Sequence, residues 1–79
     1  MDDAQILQQI GKLVDEERDL RDQAKSELAD EKRARLASLE VALDQCWDLL
    51  RQRRALREFG ENPDRAHIRD ASTVERYEQ

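Results

Sequence analysis

Cysteine and histidine are the residues best suited to nucleophilic or acid–base chemistry, and this chain has one of each, Cys46 and His67. A catalytic thiol needs a neighbouring base and a lowered pKa. Cys46 lies in a segment with helical periodicity, whereas His67 lies in the tail that follows it. The sequence also lacks a CxxC pair, a Ser-His-Asp set and a glycine-rich phosphate loop. We therefore expect a protein that is not an enzyme. An exposed Cys46 with a lowered pKa would indicate the opposite.

Carboxylates are the second group to consider, because facing helices of a bundle can use them to bind metal ions. Residues 15–19 read DEERD, and Glu40, Asp44 and Asp48 follow at steps of four. Di-iron bundles add a Glu-x-x-His pair to such glutamates, and neither predicted helix contains histidine. The sequence therefore predicts no metal ion and no cofactor, and it indicates a solvated acidic face.

Arginines form the third group, in the stretch LDQCWDLLRQRRALREFG at residues 43–60. It places the chain's one tryptophan, Trp47, beside its one cysteine and directly ahead of four arginines: Arg51, Arg53, Arg54 and Arg57. Arginines near a helix carboxyl end complement the helix dipole and form ion pairs within the helix, and Asp48 is a candidate partner for Arg51. The functional interpretation is a basic surface for phosphate or for an acidic partner.

The length and composition of the chain indicate its domain number, its fold class and its need for a partner subunit. A chain of 79 residues forms one domain, and 42% charged residues with two glycines and one proline are typical of long helices. One small core supplies only about 3–5 kcal/mol, and a single cysteine forms no internal disulfide, so we expect self-association. The sequence has no membrane-spanning run and no signal peptide, which predicts a cytoplasmic protein that does not bind membranes.

Apolar periodicity predicts an all-α fold, an antiparallel helical hairpin followed by an irregular carboxyl-terminal tail. The first helix is expected at residues 4–24, the turn at 25–29 and the second helix at 30–58, with the tail at 61–79. Gly60 and Pro63 favour a helix end before the tail. The alternative is one long helix, since the segment KSELAD at the expected turn has no glycine or proline.

The second helix carries two overlapping apolar seams that together span about half of its circumference. The first helix can cover one of them, and the other needs the tail or a second subunit. We therefore predict a homodimer, a four-helix bundle of two hairpins. One seam comprises Leu36, Leu39, Leu43, Trp47 and Leu50; the other comprises Leu39, Ala42, Cys46, Leu49 and Leu56.

Three segments, LVDEERDLRD, LASLEVALDQCWDLLRQRRALREFGENPDRA and VERYEQ, resemble a family of short actinobacterial proteins catalogued only as a domain of unknown function. The run LEVALDQCWDLLRQRRA carries the most specific part of the resemblance. The resemblance implies a small, helical, cytoplasmic protein, and it implies no activity.

We expect a non-catalytic interaction or regulatory module that contacts an unknown protein partner through the end of the second helix. The alternative is association with nucleic acid through Arg51, Arg53, Arg54 and Arg57, which an acidic chain disfavours. Hot spots of interfaces favour aromatic residues and arginine. The predicted contact residues are Trp47, Arg51, Arg53, Arg54, Leu56, Arg57 and Phe59. The predicted dimer or core seam comprises Leu36, Leu39, Leu43, Cys46, Leu49 and Leu50.

Overall fold

The chain folds as two long helices in the computed structural model, which describes residues 1–23 and 30–76. No strand occurs within those ranges, so the predicted all-α class is confirmed. The predicted turn at residues 25–29 and the predicted last residue of the first helix, Ala24, lie outside the described residues. None of the described helices is both long enough and apolar enough to cross a membrane.

Four helical elements follow one another in the part of the chain that the structure describes. The two long helices are connected through the residues that the structure does not describe, and the tail contributes a 3-10 helix and a third, short α-helix. In chain order the elements are α1 at Asp3–Gln23, α2 at Asp30–Glu58, the 3-10 helix at Pro63–Arg65 and α3 at Ala71–Arg76.

Local hydrogen bonds fix the start of α1 and the end of α2. Asp2 and Gln5 form a reciprocal capping box, in which each backbone N–H donates to the other side chain, at 2.9 and 2.8 Å. At the other end Gly60 adopts a left-handed φ of 74°. Its N–H donates to the Arg57 carbonyl and the N–H of Glu61 donates to the Leu56 carbonyl, which is a Schellman motif.

The two long helices are antiparallel, as contacts at both ends of α1 show. Near its start, Asp3 accepts a hydrogen bond from Arg53, close to the end of α2. Near its end, Arg21 pairs with Glu40 at 3.2 Å. A single long helix could not bring these residues together, so the hairpin is the correct interpretation. The core between the helices contains Ile6, Ile10, Leu13, Leu36, Leu39 and Leu49, with Leu43, Cys46 and Leu50 partly buried beside it.

The tail packs along α2, on the face centred on Asp48. The Gln45 amide donates to the Arg69 carbonyl at 3.1 Å, and Ala66 packs against the core formed by the two long helices. Val74 of α3 is buried. Through Ala66 the tail packs against the cluster that contains Leu49, one residue of the second apolar seam that the sequence assigned to the tail or to a second subunit.

Side-chain caps begin the two short helical elements of the tail, which is otherwise irregular as the sequence predicts. Asn62 accepts a hydrogen bond from the Asp64 N–H at the start of the 3-10 helix. Asp70 accepts one from the Thr73 N–H at 2.8 Å, at the start of α3. Each element is too short to show an apolar repeat, because one or two turns contain too few residues. The chain between the two elements, residues 66–70, is irregular.

Candidate interaction surface at the end of the second helix

Arg53 lies in an ion-pair network within the chain, although the sequence predicted it as a contact residue. It is 6% exposed. Its Nε donates to Oδ1 of Asp3 at 2.5 Å, and its Nη1 donates to Oδ1 of Asp64 at 3.0 Å and to the Pro63 carbonyl at 3.3 Å. One guanidinium thus joins the start of α1, the end of α2 and the 3-10 helix.

Arg57 extends this network from one turn further along α2. Its Nη2 lies 2.8 Å from Oδ2 of Asp3, and its Nη1 donates to Oδ1 at 3.2 Å. Hydrogen bonds from Arg57 and Arg53 lower the pKa of Asp3, and those that Arg53 makes with Asp3 and Asp64 raise the pKa of Arg53. Two of the four clustered arginines therefore connect the start of α1 to the end of α2.

The other two arginines of the cluster face solvent. Arg54 is exposed and pairs with Glu58, one turn later on the same helix, at 3.4 Å. Arg51 is exposed as well. The expected partner of Arg51, Asp48, instead accepts hydrogen bonds from Arg69 and Gln52. The four arginines therefore do not form one basic surface.

An open groove lies beside the end of α2 and has a volume of about 330 Å³. Its apolar side comes from Ala55, Leu56 and Phe59. Phe59 is 81% exposed, whereas Leu56 is half-buried. The groove is lined by Gln52, Ala55, Leu56, Phe59, Glu61, Arg65 and His67.

Hydrogen bonds join four of the residues that line the groove. The Gln52 amide donates to the His67 carbonyl at 2.7 Å and accepts from the His67 N–H at 3.3 Å. Arg65 pairs with Glu61 at 2.7 Å. Since the Schellman motif fixes the path of the chain past Gly60, the groove is preformed by the fold.

Trp47 and Phe59, which the sequence placed on one contact surface, belong to separate surfaces. They are twelve residues apart, which is about 18 Å along a helix. Trp47 is 45% exposed and does not line the groove. The predicted contact residues therefore do not form one surface. Leu56 and Phe59 line the groove, and Trp47 lies away from it. Of the arginines, Arg53 is buried and the others are exposed.

Cys46 is half-buried against the core of the hairpin. Burial raises the pKa of its thiol, which is the opposite of what a nucleophilic cysteine requires. Among the described residues, no three histidine, cysteine or acidic side chains are placed to hold a metal ion.

Three residues form ion pairs that the sequence did not predict: Asp3, Asp64 and Arg69. Asp3, in the first turn of α1, accepts hydrogen bonds from two arginines. A usable sequence signal exists only for the Asp48–Arg69 pair, because Asp48 is a lone acid between the apolar residues Trp47 and Leu49.

The chain is similar to one protein family over almost its whole length. The family model described as "Protein of unknown function (DUF2630)" matches residues 2–79. Uncharacterized proteins of Mycobacterium bovis and of two strains of Mycobacterium tuberculosis are each 48% identical over 79 residues, which cover 95% of this chain and 88% of the relative. No solved structure matches the chain. The expected membership in a family of short actinobacterial proteins is confirmed, and the chain belongs to the family of proteins of unknown function described as DUF2630.

Proposed function

We propose that this protein is a small, non-catalytic, cytoplasmic interaction module that binds a protein partner through the groove at the end of α2. The observation that carries the proposal is Phe59, an aromatic side chain that is 81% exposed beside a preformed groove. Burying a phenylalanine side chain contributes roughly 1.5–3 kcal/mol. A partner that covers Phe59 would therefore gain about 10- to 100-fold in affinity from this one residue.

The chemistry of the groove indicates what the partner presents. Ala55, Leu56 and Phe59 supply an apolar centre, while Arg65 and His67 supply a polar rim. Protein interfaces have this arrangement, with desolvated anchors surrounded by polar residues. A volume of about 330 Å³ is at the lower end of the range for ligand pockets. We therefore expect the partner to insert one large apolar side chain from an exposed segment.

Affinity capture with matched variants tests this proposal. The tagged 79-residue chain is used as bait in a native lysate treated with nuclease. Each captured protein is then purified, and its Kd for the chain is measured. Phe59→Ala should weaken binding about tenfold or more, because it removes the apolar anchor. Ile68→Ala is the control, since Ile68 is also an exposed large apolar residue and does not line the groove.

Equal affinity of Phe59→Ala and the unmodified protein for every captured partner would contradict the proposal. Circular dichroism and thermal melting of both variants show whether they remain folded. Because both side chains are exposed, neither truncation should disturb the fold.

The alternative proposal is association with nucleic acid. Its support is that Arg51 and Arg54 face solvent, although Arg53 and Arg57 pair with Asp3. Binding to phosphates falls steeply with added salt, by roughly one power of the salt concentration per phosphate contact. Complete loss of the captured material on nuclease treatment, together with such a salt dependence, would favour this alternative.

A further inference from the structure

One exposed stripe of α2 has a charge pattern centred on Trp47. Its residues recur at steps of four and three, which keeps them on one side of a helix. Trp47, Arg51 and Arg54 are exposed, as is the acidic residue at the start of the stripe. In chain order the stripe, which we call the Trp47 stripe, comprises Glu40, Asp44, Trp47, Arg51 and Arg54.

The charges of the Trp47 stripe are opposite on the two sides of the tryptophan. Glu40 lies seven residues before Trp47 and Arg54 lies seven residues after it. Asp44 and Arg51 lie three residues before and four after. When two copies of such a helix pack antiparallel with the two Trp47 side chains at the centre, each acid meets an arginine. Parallel packing would place like charges together.

A neighbouring stripe of α1 enlarges the apolar centre. Leu7, Val14 and Arg21 are seven residues apart and so lie on one side of α1. Arg21 pairs with Glu40 of the Trp47 stripe at 3.2 Å, which places the two stripes side by side on the same face of the hairpin. Leu7 and Val14 are both exposed. The antiparallel register sets them near the level of Trp47.

We infer that this face binds a second copy of the chain, antiparallel about a two-fold axis at Trp47, to form a four-helix bundle. Glu40 then lies against Arg54 of the partner subunit, and Leu7, Val14 and Trp47 form the apolar centre. A symmetric dimer uses the same patch on both subunits, so the patch must complement itself, as this one does. The tail packs on α2 around Asp48. Four residues of the Trp47 stripe remain exposed, and Asp44 is half-buried.

The ion pairs that Glu40 and Arg54 form within the chain leave both residues able to pair with a second copy. Glu40 pairs with Arg21 and Arg54 pairs with Glu58, and all four side chains are more than half exposed. Such surface pairs contribute little to stability, and Glu40 can accept from a second arginine. Asp44 also has an interaction within the chain. The molecule is 50 Å long, which leaves room along one face for the roughly 800 Å² per partner of a standard interface.

Charge reversal with a mixing step tests the dimer. The mass of the 79-residue chain is measured by sedimentation equilibrium over a wide concentration range. Glu40→Arg and Arg54→Glu should each raise the dimer Kd by about tenfold or more, because every pair is formed twice and becomes repulsive. An equimolar mixture of the two variants should recover dimers, since each arginine at position 40 then meets a glutamate at position 54.

Matched controls come from the opposite side of α1. Asp19→Arg and Lys12→Glu make the same charge changes at exposed positions about 120–160° around the helix from Leu7 and Val14. They should leave the dimer Kd unchanged. Trp47, as the one tryptophan, provides a second measurement. Its emission should shift to shorter wavelength with increasing concentration of the unmodified protein and of the two controls, and only at higher concentration in the two charge-reversed variants.

Three results would overturn the inference. The unmodified chain could remain monomeric at all concentrations, both reversed variants could dimerise as well as it does, or the mixture could fail to recover the dimer. Circular dichroism confirms that each variant is helical. The result is independent of the proposed partner groove, because none of the variants alters a residue that lines it.

Discussion

Asp48 and Arg69 form a bidentate ion pair that joins the middle of α2 to the tail. Asp48 is 0% exposed, and it accepts hydrogen bonds from Nε of Arg69 at 2.9 Å and from Nη2 at 2.7 Å. Gln52 donates a third at 2.8 Å. Because an ionised carboxylate is costly to bury without partners, this pair makes the position of the tail a requirement of the fold.

Removing Arg69 should therefore destabilise the protein strongly. Arg69→Ala leaves the buried carboxylate of Asp48 without its charged partner, which in buried pairs costs about 3–5 kcal/mol. Arg69 is partly exposed, so we expect a loss nearer to about 2–3 kcal/mol. Urea unfolding followed by circular dichroism measures the change in the free energy of unfolding.

A neighbouring exposed arginine provides the control for this measurement. Arg65→Ala removes an ion pair with Glu61 that is open to solvent, and it should cost less than about 1 kcal/mol. The double variant Asp48→Ala with Arg69→Ala should lose less than the sum of the single changes, because no unpaired charge remains. Equal losses for Arg69→Ala and Arg65→Ala would show that Asp48 is not buried in solution.

Asp3 should give the protein a characteristic loss of stability in acid. Hydrogen bonds from Arg57 and Arg53 lower the pKa of Asp3 below its ordinary value of 3.8. A carboxyl whose pKa is lower in the folded than in the unfolded state stabilises the fold above the unfolded pKa. That stability is lost as the pH falls through the folded pKa.

Asp3→Asn should accordingly be less stable than the unmodified protein near neutral pH, and the difference should shrink below about pH 4. Urea midpoints measured from about pH 7 to about pH 2 test this. Asp19→Asn, on the exposed side of α1, controls for the change in net charge. A stability difference that persists unchanged in acid would mean that Asp3 acts through something other than its ionised form.

The two glycines should respond to alanine with opposite signs. Gly60 has a φ of 74°, a conformation that costs a residue with a side chain roughly 1–2 kcal/mol, so Gly60→Ala should destabilise. Gly11 lies in the interior of α1, and a methyl group there would meet no atom within 4 Å. Gly11→Ala should stabilise by about 0.5–1 kcal/mol. Thermal melting distinguishes the two, and a stabilising Gly60→Ala would contradict the left-handed helix end.

Apolar periodicity was sufficient to predict the two long helices, because their buried residues recur at helical spacing along the sequence. Ile6, Ile10 and Leu13 recur at steps of four and three, and all three are buried. The organisation of the tail was not predictable in this way. It depends on two ion pairs between residues 11 and 21 positions apart, Arg53–Asp64 and Asp48–Arg69. It also depends on single capping side chains, Asn62 and Asp70, and neither kind of contact leaves a repeating pattern.

The candidate site shows the same limit. A run of four arginines looks like one basic surface in sequence, but successive helical residues point in different directions by about 100°. Arg53 reaches Asp3 and Asp64 across the hairpin, whereas Arg54, the next residue, faces solvent. Which arginine is buried depends on the register of α1 and on the path of the tail, and neither is encoded near residue 53.

Val74 provides a direct test that the tail belongs to the folded unit. It is 1% exposed, among the most deeply buried apolar side chains described, and it lies on the short helix α3. Val74→Ala should cost about 1.5–3 kcal/mol, from lost apolar burial and the cavity that remains. That is a large share of the roughly 3–5 kcal/mol that one core of this size supplies.

Ile68→Ala, in the same tail but exposed, should change the free energy of unfolding by less than about 0.5 kcal/mol. Urea unfolding would show both effects, and limited proteolysis should release the tail faster from Val74→Ala. If the two variants unfold at the same urea concentration, the tail is not packed on α2 in solution, and the second apolar seam of α2 would then be open to a partner.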